Sequence, residues 1–79
     1  MVGVYIGIGS NLGNPIAQVQ QALIDLRTIP GTSLERHSSL YWSHPMGELL
    51  QPKYINAVAL LNSTLGPLEL LTHLQQIET

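Results

Sequence analysis

Apolar and small or polar positions trade places every second residue at the start of the chain. Val2, Val4, Ile6 and Ile8 alternate with Gly3, Tyr5, Gly7 and Gly9. A period of two predicts a strand, and its second face is nearly bare, so a helix, another strand or a ligand can come close. Gly9 to Gly13 reads as a loop. Asn14-Pro15 predicts a helix start, because Asn can cap and Pro at the first helical position loses no needed hydrogen bond. Ile16, Val19, Ala22, Leu23 and Leu26 follow at helical spacing as one apolar stripe, and Pro30-Gly31 is expected to end the helix. Alternation returns from Ser33 to Trp42, with Leu34, Leu40 and Trp42 on one face and Glu35, His37 and Tyr41 on the other. Ser43 to Lys53, with two prolines and a glycine, reads as an exposed loop. Tyr54 to Leu61 reads as a largely buried strand. Gly66-Pro67 opens a second helix, with Glu69 in the first turn, where the helix dipole favours an acid. Leu70, Leu71, Leu74 and Ile77 form its apolar stripe.

The order strand, helix, strand, strand, helix predicts an α+β chain. It matches the β-α-β-β-α portion of a split βαβ, or ferredoxin-like, sheet, which needs one further strand after the second helix. The closing residues carry no Gly cap, no Pro and no cationic last turn, so residues 1–79 are expected to form a single incomplete domain. An outer edge of the first strand left without its neighbour would invite pairing with another chain, so self-association is expected.

Composition narrows the function classes. Hydrophobic residues make up 44% of the 79 positions and charged residues 10%, which predicts a packed core rather than a disordered tail. A chain this short buries only roughly 60% of its unfolded surface. The strong cations are Arg27, Arg36 and Lys53, scattered in a chain of net charge −2. Nucleic-acid binding needs clustered Lys and Arg, so nucleic acid is excluded as a partner. The opening residues have no basic n-region and soon break into Gly, Ser and Asn. Neither a signal peptide nor a membrane span is predicted, and the expected setting is cytoplasmic.

Gly7 to Gly13 superficially matches a glycine-rich phosphate loop. A dinucleotide fingerprint would find an acid at the end of the next strand, but that strand ends in Leu40-Tyr41-Trp42, and no crossover helix follows it. A tight strand-to-helix turn accounts better for the small residues. His37, His44 and His73 are dispersed and Cys is absent, which argues against a metal site in this chain. Phosphoryl transfer from ATP needs magnesium held by carboxylates and cations facing the phosphates. Asp25, Glu35, Glu48, Glu69 and Glu78 include no two at alternate strand positions, so no catalytic or metal-ligating residue is assigned.

Tyr54 and Asn56, two apart on a strand, share a face. An aromatic ring beside an amide suits a flat heterocycle with an amide-like edge. The same pair could instead satisfy neighbouring backbone groups inside the fold, and spacing alone favours that. Gln75 and Glu78 share a face of the last helix, which spacing alone reads as solvated surface.

As an ordered set, the motifs resemble the hydroxymethyldihydropterin pyrophosphokinase family. They are Tyr5-Ile6-Gly7-Ile8-Gly9-Ser10-Asn11-Leu12-Gly13, Ser38-Ser39-Leu40-Tyr41 followed by Pro45-Met46-Gly47, Gln51-Pro52-x-Tyr54-x-Asn56-Ala57, and Pro67-x-Glu69-Leu70-Leu71 with Gln75-x-x-Glu78. The resemblance covers essentially the whole chain and corresponds to the family's N-terminal half. It implies diphosphate transfer from ATP to 6-hydroxymethyl-7,8-dihydropterin in folate biosynthesis. It also implies that Ser43, His44, Pro45 and Met46 line the pterin pocket, that Tyr54 stacks on the pterin and Asn56 bonds its polar edge, and that Gln75 and Glu78 lie on the ATP side. Ser43-His44 stand where Thr-Pro or similar pairs are common, and Leu40 replaces the usual aromatic. The family's arginine-rich loop and Asp-x-Asp magnesium ligands come after the point matching Thr79. Mg²⁺ is therefore expected for the full-length enzyme, and this chain alone is expected to be inactive and to bind no metal. The alternative is a small ferredoxin-like module that binds a heterocycle without catalysis.

Overall fold

The structure, a computed structural model, describes residues 1–44 and 53–78, with only the backbone of residue 78. Six elements follow in chain order: β1 (Val2–Ser10), α1 (Pro15–Leu26), β2 (Thr32–His37), β3 (Tyr41–Ser43), β4 (Tyr54–Ser63) and α2 (Pro67–Glu78). They form an α+β chain with an antiparallel four-stranded sheet. β4 is central: β1 pairs along one side of it, while β2 and β3 follow each other along the other.

The alternation expected at the start of the chain is what builds the sheet. Val4, Ile6 and Ile8 come opposite Leu61, Ala59 and Ala57 of β4. They pack against the core, in which Ile55, Ala57, Ala59 and Leu61 meet Val19, Leu23 and Leu26 of α1, with Ile29 and Leu70. The two alanines matter here, since short side chains let a helix approach the sheet closely enough to seal Val19 completely. β4 is largely buried as expected, but its burial alternates, and Val58 is exposed. Antiparallel strands that bury one face show this pattern, whereas a strand buried on both faces would not.

Asn14 caps α1 as its position implies, its Oδ1 accepting from the Ala17 N–H at 3.2 Å, and Pro15 follows at the first turn. The helix stops at Leu26, before the Pro30-Gly31 breaker. Thr28 Oγ1 donates to the Asp25 carbonyl at 2.7 Å, and the Thr28 N–H reaches the same carbonyl at 3.0 Å, closing the last turn. Of the expected stripe, Val19, Leu23 and Leu26 are buried, while Ile16, the second residue of the helix, stays 41% exposed. α2 begins at Pro67 as expected and buries Leu70, but Leu71 is exposed.

The strand expected from Ser33 to Trp42 is interrupted. The register with β4 shifts between Leu34 and Arg36, and pairing as a ladder stops after His37. Ser38 explains the break. Its N–H donates to the Val58 carbonyl at 2.8 Å, and its own hydroxyl accepts the Val58 N–H at 2.9 Å. A side chain thus takes the place of a ladder carbonyl, as serine readily does. β3 then resumes pairing, so Ser43 belongs to a strand and not to the loop expected there. Trp42 is 57% exposed.

Candidate functional site

β4 presents Tyr54, Asn56, Val58, Leu60 and Asn62 on the face opposite the helices. The residues of β1 directly across, Gly9, Gly7, Tyr5 and Gly3, share that face with Asn56, Val58, Leu60 and Asn62 in turn. At one end of the face β3 completes the row, placing Tyr41 opposite Asn56 and Ser43 opposite Tyr54. Three strands therefore bring Gly9, Asn56 and Tyr41 into one line, with Tyr54 and Ser43 beside it.

The Asn56 carboxamide organises this corner. Its Nδ2 donates to Ser43 Oγ at 2.7 Å and to the Tyr41 carbonyl at 3.3 Å. Both amide N–H groups are spent on β3, so the donor half of Asn56 satisfies neighbouring groups within the fold. The oxygen lies toward β1, where a Cβ on Gly9 would stand 3.1 Å from Oδ1 and 3.8 Å from Tyr54 Cδ1. The bare glycine thus lets the amide oxygen and the aromatic ring pack close to β1. Gly9→Ala would push the carboxamide by a few tenths of an ångström. The expected outcome is a Tm lowered by only a few degrees together with loss of the ligand affinity discussed below. Thermal unfolding and binding of the same variant check both halves.

Ser43, Tyr54 and Asn56 are thus brought together. His44, exposed, follows directly after Ser43. Pro45 and Met46 lie outside the described residues. Gln75 is exposed on α2, on the helical side of the sheet, and Glu78 ends that helix. Among the described residues no hydrogen bond connects Gln75 to the Asn56 corner. Tyr41 and Gly9 are the residues that sequence reasoning missed. Tyr41 acts through its backbone carbonyl, which no side-chain pattern reveals. Gly9 stood inside a glycine-rich run that its turn already explained.

A cavity lies on the other side of the sheet. A slot of about 760 Å³ runs on the helical side between β1, α1 and α2, lined by Ile6, Ile8, Ala22, Leu26, Leu74 and Ile77 among others. Its polar lining is engaged internally: Ser10 Oγ donates to Gln18 Oε1, and Gln21 Nε2 donates to Asp25 Oδ1 at 2.8 Å. The rest of its lining is aliphatic or glycine. The Asn56 corner instead sets an amide beside an aromatic ring. Among the described residues no three His, Asp or Glu side chains converge.

Two helices thus cover one face of the α+β chain's sheet, and the aromatic-amide corner lies on the other. The chain belongs to the 7,8-dihydro-6-hydroxymethylpterin-pyrophosphokinase family, whose model matches residues 5–79. It is 45% identical over 78 residues to a 2-amino-4-hydroxy-6-hydroxymethyldihydropteridine pyrophosphokinase of Haemophilus influenzae, covering 99% of this chain and 49% of that protein. It is 47% identical over 75 residues to the protein of the same name from Pseudomonas aeruginosa, covering 95% of this chain and 46% of that protein. A mitochondrial folate synthesis bifunctional protein of Pisum sativum is 37% identical over 75 residues, covering 95% of this chain and 14% of its own length. The chain spans about half the length of the two bacterial relatives.

Proposed function

We propose that this chain supplies the pterin-binding wall of a pyrophosphokinase that transfers diphosphate from ATP to 6-hydroxymethyl-7,8-dihydropterin in folate biosynthesis. The observation that carries the reading is the Asn56 corner: an amide held by two bonds to β3, its oxygen on the β1 side against Gly9, with the Tyr54 ring alongside. A pterin is flat and carries N–H groups along one edge. The Tyr54 ring offers it a stacking face, and Asn56 Oδ1 an acceptor that is already oriented. Because β3 fixes the carboxamide beforehand, little rotamer entropy is lost when the heterocycle docks. Ser43 acts through Asn56, and His44, Pro45 and Met46 are assigned to the same pocket by the family resemblance alone. Gln75 and Glu78 belong to the nucleotide side.

The strand order β1, β4, β2 with antiparallel neighbours supports a ferredoxin-like arrangement, in which β2 and β3 together form one broken strand. The magnesium and phosphate chemistry is a different matter. The described residues bring no set of carboxylates together, so the donor set does not fit a metal–triphosphate group, and no step of phosphoryl transfer is assigned to them. By itself the 79-residue chain is then a pterin binder without turnover. Calorimetric titration of the chain with 6-hydroxymethyl-7,8-dihydropterin tests the reading. Saturable binding without AMP formation from ATP and magnesium is expected. A folded sample showing no saturable binding would contradict the site, and AMP formation would contradict the division of labour.

A further inference from the structure

We propose that Ser38 is a positioning residue for the ligand of the Asn56 corner, its hydroxyl closing a one-residue bulge that turns Tyr41 and Ser43 onto the open sheet face. That the ligand is a pterin rests on the proposed function; the bulge is a property of the chain alone. The register makes it visible. His37 stands opposite Ala59, and Tyr41 opposite Asn56. Between these pairs β4 has two residues, Ala57 and Val58, whereas the other strand has three, Ser38, Ser39 and Leu40. Bulges of this kind recur beside functional sites, where they re-aim a side chain. Continued without the extra residue, the His37–Ala59 register would set Leu40 against Asn56, Tyr41 against Ile55 and Trp42 against Tyr54. Every side chain of β3 would then change face. Leu40 would leave the core it packs against, and Ser43 would turn to the helical side, out of reach of Asn56 Nδ2.

The hydroxyl is what closes the bulge. In a regular hydrogen-bonded pair, Ser38 would give its N–H to Val58 and take the Val58 N–H on its own carbonyl. Here the Ser38 N–H still donates to the Val58 carbonyl at 2.8 Å, but Oγ accepts the Val58 N–H at 2.9 Å in place of the carbonyl. Oγ donates in turn to the Ser39 carbonyl at 2.9 Å, so one side chain ties both ends of the kink. The Ser38 carbonyl, released from the ladder, accepts from His37 Nδ1 at 2.7 Å. The strand that follows is short. β3 runs from Tyr41 to Ser43 and among the described residues pairs only with β4, so its register is set where the bulge releases it. Both groups that hold the Asn56 carboxamide, Ser43 Oγ and the Tyr41 carbonyl, lie on this strand. Without an acceptor on the side chain of residue 38, the Val58 N–H takes back the backbone carbonyl, and the spare residue passes down into β3. The amide then loses its partners although neither partner has been altered.

Ser38→Ala, Ser38→Thr and deletion of Ser39 test this. Threonine keeps the hydroxyl. Deleting Ser39 removes the spare residue, so that Ser38 can pair through its own carbonyl while Tyr41 stays opposite Asn56. In the ligand-free ¹⁵N-labelled chain, a nuclear Overhauser cross-peak between the Asn56 side-chain NH₂ and the Ser43 β-protons is expected for the parent, Ser38→Thr and the deletion. Ser38→Ala should lose it. By calorimetry, affinity for 6-hydroxymethyl-7,8-dihydropterin should fall roughly fivefold in Ser38→Ala and stay within about twofold of the parent in Ser38→Thr. Combined with the deletion, Ser38→Ala should regain both cross-peak and affinity, a rescue that a general loss of stability would not allow. Should Ser38→Ala alone fail to fold, the deletion pair decides: the cross-peak must survive there with and without the hydroxyl. A Ser38→Ala chain that keeps the cross-peak, or one that lacks it even after the deletion, overturns the proposal. So does a chain that loses the cross-peak yet binds as tightly as the parent. If the parent itself binds no pterin, the ligand reading fails, while the cross-peaks of the free chains still decide the role of Ser38.

Discussion

Replacing Gly31 by alanine is expected to be the most damaging single substitution in this chain. Gly31 sits at φ +64, in the left-handed region where a Cβ collides with the following carbonyl oxygen. It also joins the start of β2 to the end of β4. Its carbonyl accepts the Thr64 N–H at 2.9 Å and the Thr64 hydroxyl at 3.0 Å. A Cβ would stand 2.5 Å from Thr64 Oγ1, and that oxygen cannot retreat without giving up its bond to Gly31. Backbone strain and the forced rearrangement together cost about 2–3 kcal/mol. For a domain of this size that lowers the Tm by roughly 10–20 °C. Adding Thr64→Ala should remove the collision but not the strain, so the double variant is expected to recover part of the loss and not all of it. A Tm for Gly31→Ala within two or so degrees of the parent, as judged against the ~4–8 °C expected per kcal/mol, would show that the turn is not as tight as described.

The second large effect is on ligand affinity. Asn56→Asp keeps the shape of the side chain and removes both donors. A carboxylate oxygen would then face the Tyr41 carbonyl, where Nδ2 now donates at 3.3 Å, while Ser43 can reverse its hydroxyl and donate to the acid. Repulsion at the first contact turns the group away from Tyr41 and tips it out of the plane facing Gly9. A drop of at least tenfold in affinity for hydroxymethyldihydropterin is expected, which corresponds to about 1.4 kcal/mol or more. Ser43→Ala is milder, since the bond to Tyr41 still holds the amide, and about a threefold loss is expected, near 0.7 kcal/mol. Calorimetric titration of the two variants distinguishes an amide positioned by β3 from one that merely contributes polarity. Equal affinities for parent and Asn56→Asp would remove Asn56 from the site.

How much of this could be read from the sequence depends on whether the cause is local. Asn14 and Pro15 start a helix through chemistry contained in two residues, and the structure has the cap where the pattern puts it. Tyr54 and Asn56 share a face because strand geometry leaves no alternative. The break in the second strand was not legible, because Ser38 interrupts it by bonding to Val58, twenty residues away, and an alternating pattern carries no mark of that. Ile16 matches the apolar stripe, yet stays exposed because the sheet lies under Val19, Leu23 and Leu26 instead. In the candidate site, spacing alone could not choose between an internal pair and a ligand contact. In the structure the nitrogen of Asn56 serves the fold and its oxygen lies against Gly9, and it is to that oxygen that we assign the proposed ligand contact. The slot beside β1 was likewise invisible, since it depends on where α2 comes to rest against α1.

The open sheet face and the slot are on opposite sides of β1 and β4, and that separation allows a direct test. In a ¹⁵N-labelled sample titrated with 6-hydroxymethyl-7,8-dihydropterin, saturable shifts are predicted at the amides of Gly9, Tyr41, Ser43 and Tyr54 and at the Asn56 side-chain NH₂, while Ala22 and Leu74 stay still. Shifts confined to Ala22, Leu74 and their neighbours in the slot, or none that saturate, would contradict a pterin wall built on Asn56.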